Sequence, residues 1–64
     1  MTTSTAAHVS VIADHVEQYR AEVAAMAGDR QRTPNGDAVT AMYEAERSLR
    51  SAIRMLHRAA KLSS

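Results

Sequence analysis

Apolar residues recur along this chain at alternating steps of three and four, which is the spacing of one face of an α-helix. The repeat occurs twice, before and after a short polar stretch near residue 31. The first series is Val9, Ile12, Val16, Tyr19, Val23 and Met26, and the second is Val39, Met42, Glu46, Leu49, Ile53, Leu56 and Ala60. Two helical seams of similar length that face each other across a turn predict an all-α fold, an antiparallel two-helix hairpin.

The first helix is predicted over residues 5–28. Residues 1–4 are polar and are expected to form a disordered tail. Gly28 is expected to end the helix, because glycine readily takes the left-handed conformation found at helix C-termini. Three residues could supply the side-chain oxygen of the N-cap: Thr3, Ser4 or Thr5.

The second helix is predicted over residues 34–62, after a polar turn at 29–33. Thr33 is a good N-cap and Pro34 is favoured in the first turn, where its missing N–H costs nothing. Asn35 or Asp37 could cap the helix instead, so its start is expected between residues 34 and 38. The whole hairpin, 5–62, is expected to be a single domain.

One charged residue interrupts the second seam. Glu46 is predicted to lie opposite Tyr19, which would make a polar layer in an otherwise apolar core. A buried carboxylate needs hydrogen-bond partners. The Tyr19 hydroxyl and Arg50, one turn beyond Glu46, are placed to supply them, and such a layer would fix the register of the two helices.

Rows of alanine widen the apolar stripe on both helices. With Val9 and Val39 labelled as heptad position a, helix two has alanine at every g position and helix one has alanine at most e positions, interrupted by Arg20. A chain of 64 residues without cysteine has only a small core and no disulfide to stabilise it. Two hairpins are therefore expected to associate as a homodimeric four-helix bundle.

Cations dominate the last third of the chain, which has no Asp or Glu after Glu46. Their helical spacing places them on one broad face, the arginine face, which consists of Arg47, Arg50, Arg54, Arg58 and Lys61. Like charges one turn apart repel each other, so this face is expected to meet a compensating acidic surface. The candidates are the acidic helix of a second subunit, an acidic protein partner, or nucleic-acid phosphates. No aromatic residue is interleaved with these cations, which favours the protein partner.

The remaining patterns predict no catalytic site. The chain has no glycine-rich phosphate loop, no Glu-x-x-His metal motif and no convergent nucleophile, so we expect neither an enzyme nor a cofactor. His8 and His15 lie about 10 Å apart along one helix, too far to share one ion. With His57 on the opposite flank, a metal or pH-sensing site would have to assemble across an interface, and that alternative stays open.

These patterns together predict a non-catalytic regulatory adaptor that binds a protein partner through an exposed helical face. The alternative is a nucleic-acid-binding regulator that uses the arginine face. No apolar stretch approaches the length of a membrane span and no targeting segment is visible, so the expected location is the cytoplasm, without a membrane partner.

Overall fold

A computed structural model describes residues 4–30 and 36–63 of the chain. These residues form two α-helices, α1 (Thr5–Arg30) and α2 (Gly36–Ser63), which pack against each other as a hairpin. The predicted all-helical hairpin is confirmed. Residues 1–3 of the predicted tail, residues 31–33 of the predicted turn, with the cap Thr33, and the first-turn residue Pro34 lie outside the described residues.

Helix α1 begins as capping chemistry predicts but ends later than expected. The backbone N–H of Ala7 donates to the Ser4 hydroxyl oxygen at 3.1 Å, so Ser4 is the N-cap and belongs to the ordered helix start rather than to a tail. The predicted end at Gly28 is wrong. The helix continues to Arg30 and no glycine in the described residues has a positive φ, so Gly28 serves as an ordinary helical residue.

Helix α2 presents the predicted seam to α1. Ile53 and Glu46 are the most buried of its residues, with 9% and 8% of their surface exposed. The other seam residues are half-buried: Val39, Met42, Leu49, Leu56 and Ala60. The three-four repeat of the second half of the chain therefore identifies the packed face of α2 correctly.

Helix α1 packs through a different face from the one that its bulkiest side chains predict. Ile12, Tyr19 and Met26 are exposed, and Tyr19 has 62% of its surface open to solvent. The three valines shared with the predicted seam are half-buried: Val9, Val16 and Val23. The residues that alternate with these valines on the packed face are three alanines and one arginine, namely Ala6, Ala13, Arg20 and Ala27.

The sequence of α1 contains two overlapping three-four repeats, and packing selects the one with the smaller side chains. Ala13 and Ala27 are almost completely buried, which lets the backbones approach closely and leaves room for the larger side chains of α2. Arg20 lies on the same face and reaches Glu46. Because burial of Glu46 without a counter-ion would be costly, this contact favours the same rotation of α1.

The hairpin is a thin rod that leaves much of its surface uncovered. Its extents are 51 × 19 × 10 Å, and its radius of gyration is 14.9 Å, against about 11 Å for a compact chain of this length. Its accessible surface is 5038 Å², about a quarter more than the roughly 4,000 Å² typical of a folded monomer of this mass. Neither described helix has a stretch long and apolar enough to cross a membrane.

Candidate functional site

A cluster of four charged residues joins the two helices near their midpoints. The Glu46 carboxylate of α2 accepts a hydrogen bond from Arg20 Nη1 of α1 at 2.6 Å and one from Arg50 Nε, one turn along α2, at 2.5 Å. Arg20 also binds Glu17, with both carboxylate oxygens 2.8 Å from guanidinium nitrogens. We call these four residues the charged cluster.

Burial and the neighbouring arginines shift the pKa of the Glu46 carboxyl in opposite directions. Hydrogen bonds from Arg50 and Arg20 lower the pKa of its carboxyl, while desolvation works against them. The Glu17 carboxyl also has a lowered pKa because it accepts hydrogen bonds from Arg20. Every buried side-chain oxygen or nitrogen in residues 4–30 and 36–63 has a hydrogen-bond partner. The cluster therefore favours the ionised form of both carboxyls and pairs each of them with a guanidinium.

The predicted polar layer is half correct. Glu46 is buried and Arg50 binds it, as expected, but Tyr19 is exposed and makes no hydrogen bond to it. Arg20 takes the place predicted for Tyr19, because a guanidinium offers a charge-assisted hydrogen bond where a phenol offers only a neutral one. The sequence does contain a signal for Arg20, since this residue alone interrupts the alanine row of α1.

All five residues of the arginine face are exposed on α2. Arg50 differs from the others because it is bound to Glu46 within the hairpin. Arg54 donates to the Ser51 hydroxyl at 3.0 Å. Arg47 and Arg58 make no hydrogen bond or ion pair with any residue that the structure describes. Residues 47–63 contain no acid, so Arg47 and Arg58 carry positive charge that no acid in the described residues pairs with.

One aromatic residue adjoins the arginine face. Tyr43 precedes Arg47 by one helical turn, and 38% of its surface is exposed. Because Tyr43 precedes the first of these cations in the sequence, it is not interleaved with them, and residue spacing alone did not assign it to this face.

A second surface is apolar and lies on the flank of the hairpin opposite the charged cluster. Arg20 and Arg50, both at heptad position e, meet at Glu46, so the e flanks of the two helices share one side, as in any antiparallel pair. The other side carries an exposed row on α1, one residue per heptad: Ile12, Tyr19 and Met26. The adjacent g flank of α2 exposes Ala45 and Ala52. We call these five residues the apolar flank.

The histidines are all exposed, at positions 8, 15 and 57. The described part of the chain contains no group of three or more acidic or histidine side chains placed to hold a metal ion, and no pocket. No protein-family model, curated protein or solved structure matches this chain.

The charged cluster predicts that the hairpin loses stability in acid. A carboxyl whose pKa is lowered on folding contributes stability above its ordinary value of 4.5, and that contribution disappears as the pH falls through the folded value. We expect the thermal midpoint to fall below about pH 4.5. Circular dichroism melts from pH 7 to pH 3 would measure this.

The matched variants separate Glu46 from the other acids. Glu46→Gln should lower the midpoint at pH 7 and make its fall with acid shallower. The control Glu44→Gln, an exposed acid on the same helix, should follow the wild-type profile. An unchanged acid profile in Glu46→Gln would contradict the assignment.

Proposed function

We propose that this chain is a non-catalytic regulatory adaptor, which forms a homodimer and binds an acidic protein partner through the arginine face. The observation that carries the partner proposal is the run of exposed cations along α2, without a single acid over residues 47–63. Arg50 is neutralised within the hairpin by Glu46, whereas Arg47 and Arg58 have no acidic partner among the described residues. Arg54 and Arg58 lie one turn apart and repel each other, and an acidic partner would relieve this repulsion.

Nucleic acid is the alternative partner for the same surface, because phosphates also bind arginine. Single-stranded nucleic acid is usually held by aromatic side chains in addition to cations. Tyr43 is the one exposed aromatic beside the arginine face, and the net charge of the whole chain is only +1. One tyrosine and a nearly neutral chain favour a protein partner.

Charge reversal of the arginine face tests the partner proposal. The variant Arg47→Glu/Arg54→Glu/Arg58→Glu leaves Arg50 in place, so the charged cluster stays intact. We expect the hairpin to remain folded while binding to the acidic partner is lost. The partner would be isolated on immobilised wild-type protein and then purified, so that binding can be measured with the two components alone by isothermal titration calorimetry.

The control variant replaces the same three arginines by lysine and should retain most of the binding, because it keeps the positive charge. The alternative function makes a different prediction. Saturable RNA or DNA binding at physiological salt should then disappear in the glutamate variant, with the slope of log affinity against log salt reduced by about one per arginine removed. That result would replace the protein partner by nucleic acid.

The dimer proposal is supported by the apolar flank and by the excess surface. Alanines of α1 were expected to contact a second hairpin. Ala13 and Ala27 are instead buried within the single hairpin, so they are not accessible to a second one. The apolar flank remains as an uncovered apolar surface that a second hairpin could contact. The excess of roughly 1,000 Å² over a compact monomer is close to the roughly 800 Å² per partner that a stable interface buries. Pairing two apolar flanks would make a four-helix bundle and leave the arginine face accessible.

A dimer whose folding is coupled to association should melt at a higher temperature when it is more concentrated. A hundredfold rise in concentration should stabilise the folded dimer by about 2.7 kcal/mol. Sedimentation equilibrium should give twice the mass of 7.0 kDa. Ile12→Glu/Met26→Glu should abolish the dimer. The control Val11→Glu, at an exposed position outside the apolar flank, should leave it intact. A monomer mass with a midpoint independent of concentration would contradict the dimer.

A further inference from the structure

Two large apolar side chains lie exposed on α2, outside both the helix seam and the apolar flank. Met55 has 62% of its surface exposed and Leu62 has 76%. They are one heptad apart, so they lie on the same side of the helix, about 10 Å apart along its axis. This side points away from α1, because Ile53 and Leu56 form the packed face at this level.

Cations surround these two residues. Arg58 is three residues after Met55 and four before Leu62, so it lies between them on the helix surface. Arg54 lies one turn before Arg58, and its guanidinium is held by the Ser51 hydroxyl at 3.0 Å. Apolar and positive groups therefore alternate along the outer surface of α2. We call these four residues the mixed patch: Arg54, Met55, Arg58 and Leu62.

We propose that the mixed patch binds an acidic amphipathic α-helix of the partner protein. This inference rests on the proposed function and specifies the chemistry of the partner. A helix can present apolar residues one heptad apart to Met55 and Leu62, with Asp and Glu beside them to pair with Arg54 and Arg58. The apolar contacts would supply binding free energy, and the ion pairs would set the orientation.

The apolar residues distinguish this partner from two other anionic surfaces. Phosphates of a nucleic acid would pair with the arginines but would leave Met55 and Leu62 in water. An anionic membrane would accept both, yet helices that bind membrane surfaces bury a continuous row of large apolar residues, and here Ser51 and Arg58 occupy the neighbouring positions.

Selection from a displayed library of random peptides tests the inference without knowledge of the natural partner. Peptides of about 15 residues form roughly four helical turns, enough to span the mixed patch. We expect selection on the wild-type protein to enrich sequences rich in Asp and Glu, with apolar residues at helical spacing. Fluorescence anisotropy of the selected peptides would then measure affinity for each variant.

Two variants at exposed positions separate the apolar contact from a change in folding. Met55→Ala/Leu62→Ala should lower the affinity of the protein for the selected peptides about tenfold. The control Val11→Ala removes a comparably exposed apolar side chain from α1 and should bind as the wild type does. Circular dichroism should show all three proteins equally helical.

The outcomes distinguish failure of this inference from failure of the proposed function. Acidic peptides that lack helical periodicity, or that bind Met55→Ala/Leu62→Ala with unchanged affinity, would overturn the inference and leave the acidic partner in place. Selection without enrichment of acidic residues would contradict both. Vesicles of phosphatidylserine and phosphatidylcholine test whether the mixed patch binds an anionic membrane. If they bind the wild type tightly, and binding is lost in Met55→Ala/Leu62→Ala, the mixed patch belongs to a membrane contact instead.

Discussion

Replacing Ile53 by alanine is expected to leave most of the chain unfolded at 25 °C. Ile53 is the largest of the apolar side chains that are buried in the described residues, and the other two are alanines. Truncation of such a residue costs about 2–5 kcal/mol. A core of this size supplies only about 3–5 kcal/mol in total. Urea unfolding followed by circular dichroism would measure the loss.

Two further truncations on α2 calibrate this result. Leu49→Ala removes a half-buried seam residue and should cost less than Ile53→Ala, although it remains clearly destabilising. Met55→Ala lies two residues from Ile53 on the exposed side and should change stability by less than about 0.5 kcal/mol. If Ile53→Ala were as stable as Met55→Ala, the packed face of α2 would be wrongly assigned.

Charge reversal at Glu46 is the second change expected to unfold the hairpin. In Glu46→Lys an ammonium group would replace the carboxylate that lies 2.6 Å from Arg20 and 2.5 Å from Arg50. Three cations would then meet at a largely buried position, where only 18% of the Arg20 side chain is exposed. We expect no cooperative thermal transition at pH 7, measured by circular dichroism.

Matched variants show whether the unfolding expected in Glu46→Lys comes from the buried position or from the change of charge alone. Glu44→Lys makes the same charge change at an exposed position two residues earlier, on the opposite side of α2, and it should melt close to the wild type. Arg20→Leu/Glu46→Leu replaces the ion pair by apolar packing in the seam and should restore a cooperative transition. A folded Glu46→Lys protein would show that the charged cluster is not part of the packed interface.

The arrangement of two helices, and the packed face of α2, could be predicted from residue spacing. A helix repeats every 3.6 residues, so the steps from Val39 to Ala60 place all large apolar residues of that series on one side. The spacing of Arg47, Arg54 and Arg58 likewise identifies an exposed face, since a charged residue away from the seam is almost always solvated. Both inferences depend only on local geometry.

The packed face of α1, and with it the charged cluster, was decided by tertiary structure. Val9, Val16 and Val23 belong to two overlapping repeats, and hydrophobicity alone favours the one that contains Ile12 and Tyr19. Close approach of the backbones at Ala13 and Ala27, and the need of Glu46 for a counter-ion, favour the other.

The selection between the repeats depends on atoms of the opposite helix. Periodicity within one helix carries no information about the volume or charge that the partner helix presents. The orientation of α1 about its own axis therefore depends on its packing against α2 and could not be predicted from α1 alone. This orientation leaves Ile12, Tyr19 and Met26 on the surface. The sequence by itself determined which segments are helical and which residues can be buried. Packing of one helix against the other determined which of these residues are buried.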